Sequence, residues 1–268
     1  MKVVILCGGK GTRLREETEV RPKPMVEIGG KPIVWHIMKH YAQHGFRDFV
    51  LCLGYKGDVI KEYFLNYHAM RNDFTVNLSF RKGIVFHDQA DEENWNVTLA
   101  DTGEDTLTAE RIARVGKYIG NEPFMVTYGD GLSDVDVGAL VKFHKAQGRM
   151  ATLTGVRDVT RWGTVDHDGA GGVTGFKEKP QVQDRINAGF FVFEPEVLDR
   201  LEGETCMLEG GPLPAMAASD QVSIYAHDGF WHCMDTYRDY VKLNEMWDEG
   251  APWVSGYRQN LSAGEDER

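Results

Sequence analysis

The first 25 residues, MKVVILCGGKGTRLREETEVRPKPM, constrain the chain most. Val3 to Leu6 form an apolar run of the length of a buried strand. It ends abruptly in Cys7-Gly8-Gly9-Lys10-Gly11-Thr12-Arg13. Glycines there let the backbone turn sharply and approach a ligand. Successive bare N–H groups in such a turn make a concave anion site. Arg13 adds a planar fork of donors suited to phosphate oxygens. Lys23 stands between Pro22 and Pro24, which stiffen the backbone that carries it. Strand, glycine loop, arginine and held lysine together suggest a cradle for a polyphosphate. A glycine-rich turn by itself is only a turn, so Thr12, Arg13 and Lys23 carry the functional reading. No Gly-Lys-Ser/Thr closes a P-loop, and Leu14 stands where a dinucleotide fingerprint has its third glycine.

Composition narrows the partners. The net charge of −11 argues against general nucleic-acid binding. Residues 1–25 nevertheless hold six Lys/Arg against three Glu, a local excess of positive charge beside the glycine loop. No apolar run approaches a membrane span of about 20 residues, and the short N-terminal run does not resemble a signal peptide. Cys7, Cys52, Cys206 and Cys233 lack CxxC spacing and read as reduced thiols of a cytoplasmic protein.

Periodicity places the elements. Helices are expected over Pro32–His44, Asp58–Tyr67, Ile112–Ile119, Val137–Gln147, Leu213–Ala218 and Tyr237–Trp247. Strands are expected over Phe49–Leu53, Thr75–Phe80, Asn96–Ala100, Phe124–Tyr128 and Met150–Gly155. Such alternation predicts an α/β fold with parallel strands and helices on both faces, its ligands beyond the carboxyl ends of strands. The 8–13 loop and Asp130 both directly follow strands. Past residue 155, glycines crowd Gly163–Gly175 and strands dominate to Phe193, predicting a small β lobe on the same sheet. We expect one domain over 1–255, its nucleotide part at 1–155 and its acceptor part at 156–255, with a polar tail at 256–268.

Two acids stand out. Asp130, in Thr127-Tyr128-Gly129-Asp130-Gly131, is either a turn former or a ligand for a hard cation. Asp235, in Trp231-His232-Cys233-Met234-Asp235-Thr236, is either a helix cap or its partner. Phe176-Lys177-Glu178-Lys179-Pro180 would ordinarily be a solvated charged face.

These segments resemble the sugar-phosphate nucleotidyltransferases, whose signature is GGxGTRL followed by a PKP segment. Here it reads GGKGTRL (8–14) and RPKPMVEIGGKPI (21–33). The stretches GYKGDVIKEYF, WNVTLADTG and FWHCMDTYRD narrow the likeness to the CDP-glucose-forming cytidylyltransferases, from Met1 to about Trp253. The resemblance implies a Rossmann-like nucleotidyltransferase fold: a mixed, mostly parallel sheet with a small sugar-side lobe. It implies CTP and a sugar 1-phosphate, glucose 1-phosphate first, as substrates, with Mg²⁺ on Asp130 and Asp235. Arg13 and Lys23 would act on the phosphates. Leu6, Gly8, Gly9, Gly11, Thr12 and Gly129 would contact the nucleotide. Glu178, Lys179, Asn187 and Gly189 would receive the sugar phosphate. Thr106 and Arg111 would reach the nucleotide of a neighbouring subunit in a homo-oligomer, a hexamer of trimeric units.

Two departures bear on this. The family has two glycines before the arginine, where this chain has Ala109 and Glu110. Gly211 stands where the family carries an acid. Another phosphate or phosphonate acceptor, a thymidylyl- or uridylyltransferase, and a non-catalytic nucleotide-sugar-binding paralogue are the rival expectations.

Overall fold

The computed structural model describes residues 1–79, 83–87, 93–157, 164–178 and 184–254. Its centre is a seven-stranded sheet built from β1 (Val3–Leu6), β2 (Asp48–Leu53), β3 (Asn96–Asp101), β4 (Phe124–Tyr128), β5 (Ala151–Val156), β6 (Ile186–Phe193) and β7 (Val222–His227). The order across the sheet is β7-β5-β6-β4-β1-β2-β3. β6 runs antiparallel to both of its neighbours, and every other pair is parallel. The sheet is therefore mixed and mostly parallel. β1 lies between β2 and β4, so the glycine loop leaves from the middle of the sheet.

Alternation along β1 explains the two-faced core. Val3 and Ile5 pack with the helices Ile33–Gln43 and Val137–Gln147. Val4 and Leu6 pack with Thr108–Ile119 and Val197–Leu201 on the other face. Successive side chains of a strand point to opposite faces, so a fully apolar β1 requires cover on both. Trp35, Tyr41 and Trp253 are among the largest side chains sealed in the core. Among the described residues no helix is long and apolar enough to cross a membrane.

Most expected elements occur within a few residues of their predicted ends. Three differ. The strand expected at Thr75–Phe80 is Phe74–Val76, and it pairs with Ile84–Phe86 in a ribbon separate from the main sheet. Phe80 itself lies outside the described residues. Among the described residues, Thr164–His167 and Val173–Lys177 likewise pair with each other and not with the main sheet, which Ile186–Phe193 joins. Both ribbons leave apolar side chains in solvent, Phe74 and Val85 on one, Val165 and Phe176 on the other. Without a buried face, nothing holds such strands against the core. Thirdly, helix Thr108–Ile119 begins a turn earlier than expected. Gly163 and the 256–268 tail lie outside the described residues.

Candidate active site

A cavity of about 410 Å³ opens at the carboxyl ends of β1 and β4. Leu6, Gly8, Gly9, Gly11, Thr12, Arg13 and Lys23 line it, as do Thr106, Arg111, Gly129 and Asp130. Gly11 sits at φ 61°, a left-handed conformation that favours glycine, and turns the loop into a short helical turn at Thr12–Leu14. The Thr18 hydroxyl donates to Gly11 O at 3.1 Å and fastens the far side of the loop.

Lys23 opens the 3-10 turn Lys23–Met25, whose flanking prolines are both buried. Its ammonium donates to Asp130 Oδ2 at 2.6 Å and Asp235 Oδ1 at 2.8 Å. Arg13 Nη1 donates to Asp235 Oδ2 at 2.9 Å. Two cations and two carboxylates from distant parts of the chain thus form one network.

A small ribbon brings the acids together. Gly131–Ser133 pairs antiparallel with Trp231–Cys233, with Cys233 opposite Gly131. Asp130 enters one strand of this ribbon and Asp235 leaves the other, and Met234 N donates to Asp130 O at 2.9 Å. Asp235 is not the helix cap. Thr236 caps Tyr237–Glu249, and Asp239 completes the capping box by accepting from Thr236 N at 2.8 Å. The Asp235 carboxylate is left to the site.

The charges decide the protonation states. Burial alone would lower the Lys23 pKa, but Asp130 and Asp235 outweigh it and hold the ammonium above its ordinary value. Burial would likewise raise Asp235, but Lys23 and Arg13 hold it below the usual carboxylate range. Burial first and Asp130 second push the neighbouring Cys233 thiol well up, which keeps it protonated. Oxygen atoms of Asp130 and Asp235 and the Cys233 sulfur lie within 4.8 Å of one another. Two carboxylates this close suit a hard divalent cation, which takes oxygen ligands. The Lys23 ammonium between them shows that the pair accepts positive charge.

Of the expected acceptor residues, Glu178, Asn187 and Gly189 are not in the cavity lining. Glu178 is exposed at the end of the outlying ribbon, and Lys179 lies outside the described residues. Asn187 Oδ1 accepts from Gly189 N at 2.9 Å. Gly189 is at φ 79°, and a β-carbon there would stand 2.2 Å from the Tyr128 ring. The Tyr128 ring thus packs against the Gly189 backbone. The segment does adjoin the acidic ribbon, since Trp231 Nε1 donates to Ala188 O at 2.9 Å.

Arg111 lines the cavity, and its guanidinium, 4% exposed, binds carbonyls of its own chain. Helix Thr108–Ile119 carries it under the glycine loop, where it donates to Gly8 O at 3.1 Å. Thr106 is turned the same way, its hydroxyl donating to Thr102 O at 2.5 Å. The charge of Glu110 is met one turn away by Arg114, at 2.5 Å. Sequence reasoning missed Tyr128, Thr108 and Met207 in the cavity wall. It also missed Lys10, which reaches across to Asp105 at 2.7 Å. Tyr128 ends a buried strand beside the motif glycine, a position that could have flagged it.

A family model described as nucleotidyl transferase matches residues 2–249. The chain is 49% identical over 256 residues to the glucose-1-phosphate cytidylyltransferase of Salmonella typhi, covering 94% of this chain and 98% of that protein. It is 31% identical over 247 residues to the mannose-1-phosphate guanyltransferase of Schizosaccharomyces pombe, covering 90% of this chain and 62% of that protein. The fold is similar to HddC from Yersinia pseudotuberculosis, with a TM-score of 0.65 at 24% identity over 92% of this chain and 99% of that one. The match runs from β1 through the last long helix and takes in every residue of the charged network, so the chain belongs to the nucleotidyl transferase family.

Proposed function

We propose that this protein transfers a cytidylyl group from CTP to α-D-glucose 1-phosphate, giving CDP-glucose and pyrophosphate. The observation that carries the reading is the network of Arg13, Lys23, Asp130 and Asp235, the first three of which line a cavity walled by the glycine loop. The choice of cytosine and glucose rests on the likeness to the Salmonella typhi enzyme.

An oxygen of the sugar 1-phosphate attacks the α-phosphorus, and pyrophosphate leaves in line. The acceptor phosphate is already anionic, so no general base is required. The obstacle is repulsion between two polyanions, and catalysis is positioning with charge neutralisation. Arg13, mostly in solvent, holds the β- and γ-phosphates that depart. Lys23 is the cation nearest both acids, and it meets negative charge developing at the α-phosphate. Asp130 and Asp235 would hold Mg²⁺, which supplies a further positive charge shared among the phosphates. Lys179 and Glu178 receive the acceptor, and the protein assembles as a homo-oligomer in the cytoplasm.

The test is pyrophosphate release with CTP, UTP, dTTP, ATP and GTP against a panel of sugar 1-phosphates. Release confined to CTP with glucose 1-phosphate, and abolished by Asp130→Asn, supports the reading. Release with CTP and a different acceptor would move the pathway. Silence with every pair would refute it.

A further inference from the structure

The mechanism gives the Cys233 thiol nothing to do, yet the fold sets it beside both acids. Met234, the next residue, is sealed in the core. Successive residues of a strand face opposite ways, so Cys233 and Asp235 share the side turned from the core. Asp235 N donates to Cys233 O at 3.1 Å, a three-residue turn that keeps the two side chains together. Across the ribbon Cys233 stands opposite Gly131, which has no side chain to crowd the sulfur. Asp130, the residue before Gly131, completes the group: one oxygen of each acid and the Cys233 sulfur lie within 4.8 Å of one another. Cys233 forms no disulfide and is half-buried.

The donor set decides which ions it suits. Mg²⁺ is hard and takes oxygen. Zinc takes carboxylate oxygen and cysteine sulfur together, at about 2.0–2.2 Å and 2.3 Å, in a tetrahedron that can leave one place for water. Ligand atoms of such a tetrahedron lie roughly 3.5 Å apart, so these three would close on an ion by moving about 1 Å. The Lys23 ammonium, bonded to both carboxylates, already holds positive charge at this place. Beside bare carboxylates the thiol keeps its proton, and an ion on those acids removes the opposing charge. As the metal–sulfur bond forms, the S–H bond breaks and its proton leaves to solvent.

We propose that Cys233 is a third metal ligand that opens this site to cations of the zinc class: Asp130, Asp235 and Cys233 hold Zn²⁺ or Co²⁺ through two oxygens and one sulfur, where Mg²⁺ is held through the oxygens alone. The proposal rests on the reading that the two acids hold a divalent cation. Zinc is thereby a competitor of Mg²⁺ at this site.

The test uses the full chain without nucleotide. Co²⁺ added to the wild type should give a sulfur-to-cobalt charge-transfer band in the near ultraviolet. The band should vanish in Cys233→Ser and Cys233→Ala and persist in Cys206→Ser. Zn²⁺ affinity by calorimetry should fall at least about tenfold in both Cys233 variants, since even groups behind a ligand are worth that much. The rise in melting temperature caused by Mg²⁺ should be the same in Cys233→Ser as in the wild type, the mark of a folded variant with both acids in place. A band that is absent from the wild type or survives in the Cys233 variants overturns the inference alone, as does Zn²⁺ affinity within about twofold of wild type. An Asp235→Asn variant with unchanged Mg²⁺ shift and unchanged Zn²⁺ affinity overturns the metal reading and the inference with it. These titrations need no turnover, so they stand whatever the pyrophosphate assay gives.

Discussion

Replacing Lys23 with methionine keeps the length of the side chain and removes only its charge. The Lys23 side chain is 12% exposed, and its ammonium lies 2.6 and 2.8 Å from two carboxylates that are themselves mostly buried. At an effective dielectric of about 20, each contact carries about 6 kcal/mol of attraction. Desolvation of the three groups offsets most of this. What remains in the variant is two facing carboxylates with only Arg13 to oppose one of them. Breaking such a partly buried cluster should cost about 3 kcal/mol, a drop of roughly 6–12 °C in melting temperature for a domain of this size. Turnover should fall about 10²–10³-fold through loss of one preorganised cation. The discriminating measurement is melting with and without Mg²⁺ in the absence of nucleotide. A divalent cation should restore more stability to Lys23→Met than it adds to the wild type, since it no longer competes with the ammonium. Equal melting temperatures for the two proteins, with equal Mg²⁺ shifts, would refute this account of the network.

Three further outcomes follow from the geometry. His36 is wholly buried, with Nε2 donating to Ile28 O at 2.8 Å and Nδ1 accepting from Trp253 at 3.4 Å, and burial lowers its pKa from 6.5 to about 4. A folded pKa below the unfolded one favours the fold above pH 6.5 and loses that advantage as pH falls toward 4. Denaturant titrations should therefore show up to about 3 kcal/mol lost across that window, a slope that His36→Phe should flatten. Gly189→Ala forces a side chain into a left-handed backbone and against the Tyr128 ring, costing about 2–4 kcal/mol by thermal melting. Glu110→Ala should change CTP affinity less than about twofold by calorimetry, because Arg114 already balances that charge at the surface.

Local chemistry was legible where short-range rules govern it. The buried run at Val3–Leu6, the turn at Gly11, the held Lys23 and the strand ending just before Asp130 are consequences of a few adjacent residues. They stand where the sequence places them. The same holds for the helix after Asp235, although Thr236 rather than Asp235 proves to be its cap, a distinction that turns on which oxygen reaches Asp239.

Long-range pairing was not legible. Nothing in the sequence states that Trp231–Cys233 lies beside Gly131–Ser133, yet that pairing alone brings Asp235 to Asp130 and lets one lysine bridge them. Nor does composition show that two outlying hairpins lack a core to join, or that β6 runs against its neighbours. Arg111 is the sharpest instance. As a residue type it suits a phosphate, and only the folded helix beneath the glycine loop brings it to the cavity and to five acceptors of its own chain. The sequence by itself determined which groups could handle a polyphosphate. Tertiary structure decided which of them face the cavity and which hold its wall, because that depends on partners distant along the chain and close only after the sheet is assembled.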